Sequence, residues 1–376
     1  MTQPDAPQRI GRLTPVDDLL DRIAASVARV EPRPVDAARA AGRILAADLP
    51  LAAHPRVALA LRDGWAVSAE LASDASSYAP VAMPAASRVD AGEPLPPGTD
   101  AVAALDTVIA NAGRIEVIAP LLPGEGVLPA GRDLADRGAT LPAGTRLSRL
   151  HAAALAVTGA GARPLQVCEP RVHVAASRPG DPVIDAAAGL IAAAVETAGG
   201  QPLRPQPAAA GAALDAAFTD AAADAVIGIG GTGSGRNDRA VQMLARRGRV
   251  DAHGLALAPG ETAAFGFVGP RPVLLLPGRL DAAIAVWLVI GRRLMGRLTG
   301  AVEADPATRA RLSRKIASAL GLVEVVPVCR LAGAAEPLAT TYLPLAALVQ
   351  ADGWVLVPAD SEGYPPGSEV VIRPWL

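Results

Sequence analysis

Residues 228–238 read GIGGTGSGRND, with ADAVI (223–227) before them and RAVQMLARR (239–247) after. A short apolar run ends in a glycine-rich turn, and a run with helical spacing follows. That order is strand, turn, helix, the corner at which α/β proteins hold phosphates. The alternation extends in both directions. Upstream lie strand RVHVAAS, turn RPGDP and helix DAAAGLIAAAVETAGG; downstream lie strand RPVLLLPG (271–278) and helix DAAIAVWLVIGRRLMGRL. Continuous apolar strands between amphipathic helices predict a parallel sheet buried on both faces.

The turn opens as Gly228-x-Gly230-x-x-Gly233, the dinucleotide signature, and Asp251 stands where a ribose-binding acid is expected. Two features oppose a nicotinamide or flavin oxidoreductase. Residues 234–238 intervene before the helix, with Asn237 or Asp238 as the better N-cap, and a full strand–turn–helix precedes the unit. A Walker loop is excluded because no Gly-Lys-Ser/Thr follows. What remains is a wide turn whose backbone N–H groups can cradle a phosphate. Ser234 and Asn237 can add neutral hydrogen bonds, while Asp238 can bind a metal or simply cap the helix.

Composition narrows the class. Hydrophobic residues make up 51% of the 376 residues and charged residues 19%, which fits a folded chain of several domains. Aromatics are only 3%, so cores are built from Ala, Val, Leu and Ile. Lys315 is the sole lysine; anions must be held by Arg, backbone N–H groups or a metal. A net charge of −2 without a basic stripe argues against nucleic acid. Cys168 and Cys329 stand far apart, and His54, His151, His173 and His253 show no metal spacing. The segment MTQPDAPQRIGR lacks the apolar core of a signal peptide, and the longest apolar run, AAIAVWLVIG (282–291), is half of a membrane span. The expectation is a soluble, cytoplasmic protein.

Outside the α/β unit, Thr14-Pro15-x-Asp17 predicts an N-cap for a helix through VDDLLDRIAASVA, and VDAARAAGRILAADL (35–49) predicts a second helix. Short strands separated by AGEPLPPGTD, NAGR, LLPGEG and PAGRD follow, and RLSRLHAAALAVTGA (146–160) reads as helix. Near the end, PATRARLSRKIASAL predicts a helix before the strands VEVVPVCRL, GWVLVP and EVVIRPW. The expected fold is multidomain α/β and β in four parts. They are a helical linker domain (10–50 with 146–168), a β-rich domain (51–145), a three-layer α/β domain (169–302) and a C-terminal small β-barrel (303–376).

Several motifs then line up in one order. RDGWAV (62–67) is similar to the Met-Asp-Gly-Tyr-Ala-Val segment of the molybdopterin molybdenumtransferase family, which includes the E domain of gephyrin. AGEPLPPGTDAV (91–102), AGRDLADRGATLPAGTRL (130–147), GGTGSGRND (230–238), LAPGETAAFG, LLLPGRLDAA and ADGWVLVP…GSEVVI resemble further family blocks, from about residue 13 to 373. The resemblance implies an elongated homodimer that binds adenylylated molybdopterin and inserts molybdate into its dithiolene, with Mg²⁺ helping to remove the adenylate. The α/β part is then the molybdopterin-binding domain, and the site lies between it and the partner's β-rich domain. A molybdoenzyme or a molybdopterin adenylyltransferase would be the protein partner.

Carried over by position, the resemblance assigns catalytic roles to Asp63, Asp133 and Asp238, and metal binding to Asp63 and Asp238. Ligand contacts fall to Gly230, Gly231, Thr232, Gly233, Ser234, Gly235, Asp185, Pro277, Gly278 and Arg279. Each acid has a plainer alternative: a turn at Asp63, a solvated loop acid at Asp133, an N-cap at Asp238. The departures are marked. Ala58, Leu59 and Ala60 replace polar residues, Arg62 replaces Met, and Arg178-Pro179-Gly180-Asp181-Pro182 replaces Gly-Asp-Glu-Leu. Ala258 and Glu261 replace the lysines of Lys-Pro-Gly-Lys, and Arg279-Leu280 replaces Asn-Pro. Losing two cations at an oxyanion site is adverse, and Arg62, Arg178, Arg236 and Arg279 are the candidates to compensate. A diverged binder or carrier of the cofactor is therefore the alternative to a catalyst.

Overall fold

A computed structural model describes residues 8–111, 113–135, 140–203, 212–302, 307–331 and 333–376. Part of the 130–147 motif and the first residues of the N-terminal segment lie outside the described residues. Helix α1 spans Val16–Ser26 and buries Val16, Leu19 and Ile23 on one face. It begins later than predicted: Pro15 takes the N-cap position, and Thr14 instead bridges to Leu255. The helix predicted over 35–49 does not form. Arg33–Val35 pairs with Leu165–Val167, a 3-10 turn spans Ala37–Arg39, and Ile44 and Leu45 bridge to Arg146 and Val167. Alanine gives this stretch helical propensity, but Ile44 and Leu45, both buried and adjacent, are paired in extended form on two neighbours.

In the β-rich region, β1 (Gly64–Val67) lies between β2 (Ser87–Val89) and β3 (Ala101–Ala104). Gly64 is required there, since a Cβ would stand 2.1 Å from the carbonyl oxygen of Ala103. Helix α2 (Arg149–Val157) starts at a reciprocal cap: Ser148 Oγ accepts from the His151 N–H, and His151 Nδ1 accepts from the Ser148 N–H, each at 3.1 Å.

The α/β unit runs β4 (Arg171–Ala176), α3 (Pro182–Thr197), β5 (Gln201–Leu203), α4 (Ala212–Thr219), β6 (Ala225–Ile229) and α5 (Ala240–Arg247). It continues through β7 (Arg249–His253), β8 (Ala264–Val268), β9 (Arg271–Leu276) and α6 (Leu280–Val286), a π turn at Trp287–Gly291 and α7 (Arg292–Thr299). The sheet order is β5-β4-β6-β9-β8-β7. The first four strands are parallel, as expected; β8 and β7 are antiparallel additions that the sequence reading missed. Gly269-Pro270 turns β8 into β9 as a hairpin, with Val268 opposite Arg271. Alternation along β6 shows why both faces are covered: Ala225, Ile227 and Ile229 pack with α3 and α6, while Val226 faces Leu214, Phe218 and Leu244 of α4 and α5.

Register aligns the strand ends. Ala176 lies opposite Ile229, and Ile229 opposite Leu276. The residues that leave these strands, Ser177, Gly230 and Pro277, therefore form one row at the carboxyl edge of the sheet. Such an edge is where open α/β sheets take ligands.

The C-terminal region closes into a five-stranded barrel. Its strands are β10 (Thr308–Leu312), β11 (Val323–Leu331), β12 (Ala334–Pro337), β13 (Gly353–Val357) and β14 (Glu369–Pro374). They run β11-β12-β10-β14-β13, and β13 pairs back to β11. The predicted helix over 306–320 is absent: β10 and a two-residue strand at Ile316–Ala317 replace it. The letters TRARL alternate arginine outward with apolar residues inward, and Leu312 and Ile316 are buried in the barrel core. No helix among the described residues is long and apolar enough to cross a membrane.

Candidate functional site

The glycine turn is held rigidly from beneath. Gly230 has φ +85°, and a Cβ on it would stand 2.6 Å from Ser177 Oγ and 2.9 Å from Ile184 Cδ1. On Gly278, a Cβ would stand 3.4 Å from the Cα of Gly230. Glycine at these two strand ends lets β6 and β9 approach each other over the start of α3. Ser177 Oγ is buried here without a hydrogen-bond partner among the described residues. Its own N–H donates to the Ile229 carbonyl at 2.9 Å. An orphaned hydroxyl at a strand edge is the kind of group that a polar ligand satisfies.

Beyond Gly230 the carbonyls are clamped one after another. The Gly231 carbonyl accepts from the Ala240 N–H at 2.9 Å and from Gln8 Nε2 at 3.0 Å. The Thr232 carbonyl lies 3.0 Å from His253 Nε2, and the Gly233 carbonyl accepts from Gln8 Nε2 at 2.9 Å. Thr232, 1% exposed, adds a 3.0 Å contact between its Oγ1 and that of Thr262. In a trans peptide the C=O and the next N–H point in opposite directions. Anchoring the carbonyls of 231, 232 and 233 therefore directs the N–H groups of Thr232, Gly233 and Ser234 away from the clamps. None of those three N–H groups has an acceptor among the described residues. They form a run of backbone donors suited to an anion.

Asp238 does not cap the helix. Its Oδ2 accepts the Gly235 N–H at 2.8 Å, and Arg239 takes the N-cap position of α5 without a side-chain cap. The start of α5 is served by Gln8 instead, whose Oε1 accepts the N–H groups of Val241 at 2.9 Å and Gln242 at 3.1 Å. The phosphate-binding capacity expected at this helix start is thus taken by a side chain, and the free donors lie in the turn itself. The dinucleotide reading fails on the same geometry. The helix opens at Ala240 rather than at Gly233, and Asp251 sits in β7, paired with Arg249 at 2.9 Å.

The predicted residues divide into two groups. Gly230–Gly235, Asp238, Pro277, Gly278 and Arg279 gather at the carboxyl edge with Ser177. Asp185 is beside them in the first turn of α3, where its Oδ2 accepts the Gly180 N–H at 2.9 Å and braces the RPGDP turn. Asp63 and Asp133 stand elsewhere, on exposed turns of the β-rich region. Asp63 Oδ1 accepts the Ala91 N–H at 2.8 Å, and the Asp133 N–H donates to the His54 carbonyl at 3.1 Å. No described hydrogen bond or ion pair joins either acid to the glycine turn of the same chain. Nor do three His, Cys, Asp or Glu side chains meet in a metal-ligating group among the described residues. A hard divalent cation takes six or more oxygens; within one chain the turn offers the Asp238 carboxylate, too few donors to hold such an ion alone.

Of the four arginines named as candidates to compensate for the lost lysines, three are already paired. Arg62 donates to Glu125 Oε1 at 3.0 Å and to the Val102 carbonyl; this pairing, with the Leu122 N–H, holds Glu125 below the usual carboxylate range. Arg178 pairs with Asp181 at 3.3 Å. Arg279 forms a two-pronged bond to Asp281, a buried carboxylate that also accepts the Leu343 N–H, and lies over the Tyr342 ring at 5.3 Å. Arg236, exposed on the turn, has no partner among the described residues. Motif alignment pointed to the arginines, with Asp181 and Asp281 in the same motifs; it carried no signal for Glu125 as the partner of Arg62, nor for Gln8, Ser177, His253 and Thr262.

An open groove of about 810 Å³ lies at the opposite, amino edge of the sheet, where Arg29, Arg249, Arg271 and Phe267 line it. Arg271 is committed to the carbonyls of Phe218 and Asp220, and Arg249 to Asp251 and the Phe267 ring. None of the predicted site residues lines that groove.

A glycine-rich turn on a mixed α/β sheet, followed by a closed five-stranded barrel, defines a multidomain α/β and β protein. The chain belongs to the MoeA family, the molybdopterin molybdenumtransferases whose motifs it resembles. Three family models match it: the MoeA N-terminal region (domain I and II) over 14–159, a family described as "Probable molybdopterin binding domain" over 181–297, and the MoeA C-terminal region (domain IV) over 309–375. These are domains of molybdenum cofactor biosynthesis. A Methanocaldococcus jannaschii protein named for molybdopterin biosynthesis is 31% identical over 149 residues. The match spans 39% of this chain and about a third of that relative, 35%. A molybdopterin biosynthesis MoeA protein of Pyrococcus horikoshii shares the fold at TM-score 0.70 and 24% identity, over 96% of this chain and 99% of that one. A molybdenum cofactor biosynthesis protein of Pyrococcus furiosus does so at TM-score 0.57 and 21% identity, over 97% of this chain and 100% of that one.

Proposed function

We propose that this protein binds adenylylated molybdopterin at the carboxyl edge of its α/β sheet and inserts molybdate into the dithiolene. The observation that carries the reading is the run of backbone donors at Thr232, Gly233 and Ser234, with carbonyls anchored behind it and the buried Ser177 hydroxyl unpartnered beneath it. Preorganised N–H groups hold a phosphate without lysine, which this chain lacks at the site. Gly230, Gly231, Gly235, Pro277 and Gly278 let the ligand approach the backbone. Arg236 supplies the unpaired positive charge, and Arg279 contributes as an ion pair with Asp281.

In this reading the site is completed by a second copy. Asp63 and Asp133 of one subunit would face Asp238 of the other, and Asp63 with Asp238 would be the residues to hold Mg²⁺, which would supply positive charge for a departing adenylate. Subunit mixing tests it. Asp63→Ala and Asp238→Ala proteins should each fail to convert adenylylated molybdopterin and molybdate, whereas a mixture that exchanges subunits should regain turnover. Mixed dimers hold one site with both acids intact. No recovery on mixing would sink the shared site.

A second reading is a carrier that binds molybdopterin or finished cofactor without turnover. The replacement of two lysines by Ala258 and Glu261, and the pairing of Arg62, Arg178 and Arg279 with carboxylates, favour it. Tight retention of molybdopterin with no consumption of molybdate would select this reading over the first.

A further inference from the structure

Gln8 precedes the first helix, far from every motif in sequence, and yet it is 5% exposed and its carboxamide is saturated. A carboxamide has two N–H donors and two acceptor lone pairs. Here Nε2 donates to the carbonyls of Gly231 and Gly233, and Oε1 accepts from Val241 and Gln242. One side chain thus grips both ends of the loop between β6 and α5. The segment that delivers it is itself pinned: the Thr14 N–H donates to the Gly254 carbonyl at 2.9 Å, and the Ala256 N–H donates to Thr14 at 2.8 Å.

We propose that Gln8 is a positioning residue for ligand binding: by holding the carbonyls of Gly231 and Gly233, it aims the N–H groups of Thr232 and Ser234 at the bound anion. This rests on the glycine turn being the molybdopterin site. The two ends of the carboxamide have separable duties. The oxygen caps α5, which any acceptor can do. The nitrogen clamps the turn, which needs a donor.

Gln8→Glu separates them. Its carboxylate still accepts from Val241 and Gln242, where a negative charge suits a helix start, but it repels the two carbonyls. Amide hydrogen exchange and molybdopterin affinity are measured on wild type, Gln8→Glu and Gln8→Ala. In Gln8→Glu, protection over 243–247 should persist, exchange of the hydrogen-bonded amides that frame the turn, Gly235 and Ala240, should quicken, and molybdopterin affinity should fall about tenfold or more. Gln8→Ala should lose both the protection and the affinity. Unchanged turn exchange in Gln8→Glu, or quickened exchange with wild-type affinity, overturns the proposal. If wild type itself retains no molybdopterin, the binding reading fails, and turn exchange in Gln8→Glu alone decides whether Gln8 positions the turn.

Discussion

Asp238 Oδ2 accepts the N–H of Gly235, three residues behind it, at 2.8 Å. The carboxylate folds across the mouth of its own turn rather than onto the helix that follows. A Cβ on Gly233 or Gly235 would stand within 2.9 Å of the same oxygen, so glycine at these positions leaves the carboxylate room to lie there. It also places a negative charge beside the N–H groups proposed to face an anion.

Asp238→Asn should therefore separate binding from folding. The turn is largely exposed, so the loss in unfolding free energy is expected to stay below about 1 kcal/mol. Turnover, or molybdopterin retention in the carrier reading, should change by much more. Urea unfolding and a retention assay on the same preparation check this; a stability loss that accounts for the whole functional loss would contradict it.

Gly230→Ala should damage both. The residue must hold φ +85°, and its new Cβ would meet Ser177 Oγ at 2.6 Å and Ile184 Cδ1 at 2.9 Å. Left-handed strain and overpacking together predict a loss of about 2–4 kcal/mol. Ser177→Ala removes a hydroxyl that has no protein partner, so it should leave stability within about 1 kcal/mol and weaken ligand retention. Denaturant midpoints compared with retained pterin distinguish the two variants.

Arg279→Ala leaves the Asp281 carboxylate, 4% exposed, with the Leu343 N–H at 3.3 Å. Removing one partner of a fully buried pair costs about 3–5 kcal/mol; with the Arg279 side chain 58% exposed, about 1–2 kcal/mol is expected. Arg279→Ala combined with Asp281→Asn should recover part of that loss. A double variant no more stable than Arg279→Ala would show that the unpaired Asp281 charge is not the source of the loss.

Acid should act through Glu125. Its folded pKa lies below the ordinary 4.5, because Arg62 and the Leu122 N–H bond the charged form. A depressed carboxylate contributes stability above its unfolded pKa and loses it as pH falls through the folded one. The stability gap between wild type and Glu125→Gln should thus be present near neutral pH and narrow below about 4.5. A gap that widens toward acid would reverse the assignment.

Local chemistry made part of this protein legible. Along 225–229 every residue is apolar, and glycines break the strand at once, so the strand and its phosphate-type turn could be read from adjacent letters. The motif order identified the family for the same reason: each motif is a short run whose backbone needs are written in its own residues. Ala-rich stretches misled, since alanine suits a helix by itself and turns extended only when a neighbour offers hydrogen bonds, as the Thr145 carbonyl does for the Leu45 N–H. The barrel likewise turned TRARL from an expected helix into a strand.

What only the tertiary structure decided is which groups at the site are free. Sequence placed arginines at positions 62, 178 and 279; Asp181 and Asp281 stand beside two of them in the chain, but only the fold set Glu125 against Arg62, across 63 residues. Sequence placed a helix start beside the glycine turn, and the fold brought Gln8 across more than two hundred residues to cap it. Backbone conformation follows from near neighbours, because sterics and turn chemistry act over a few residues. Charge pairing and hydrogen-bond saturation depend on distances that the folded chain alone creates, and these determine which donors at the turn remain for a ligand.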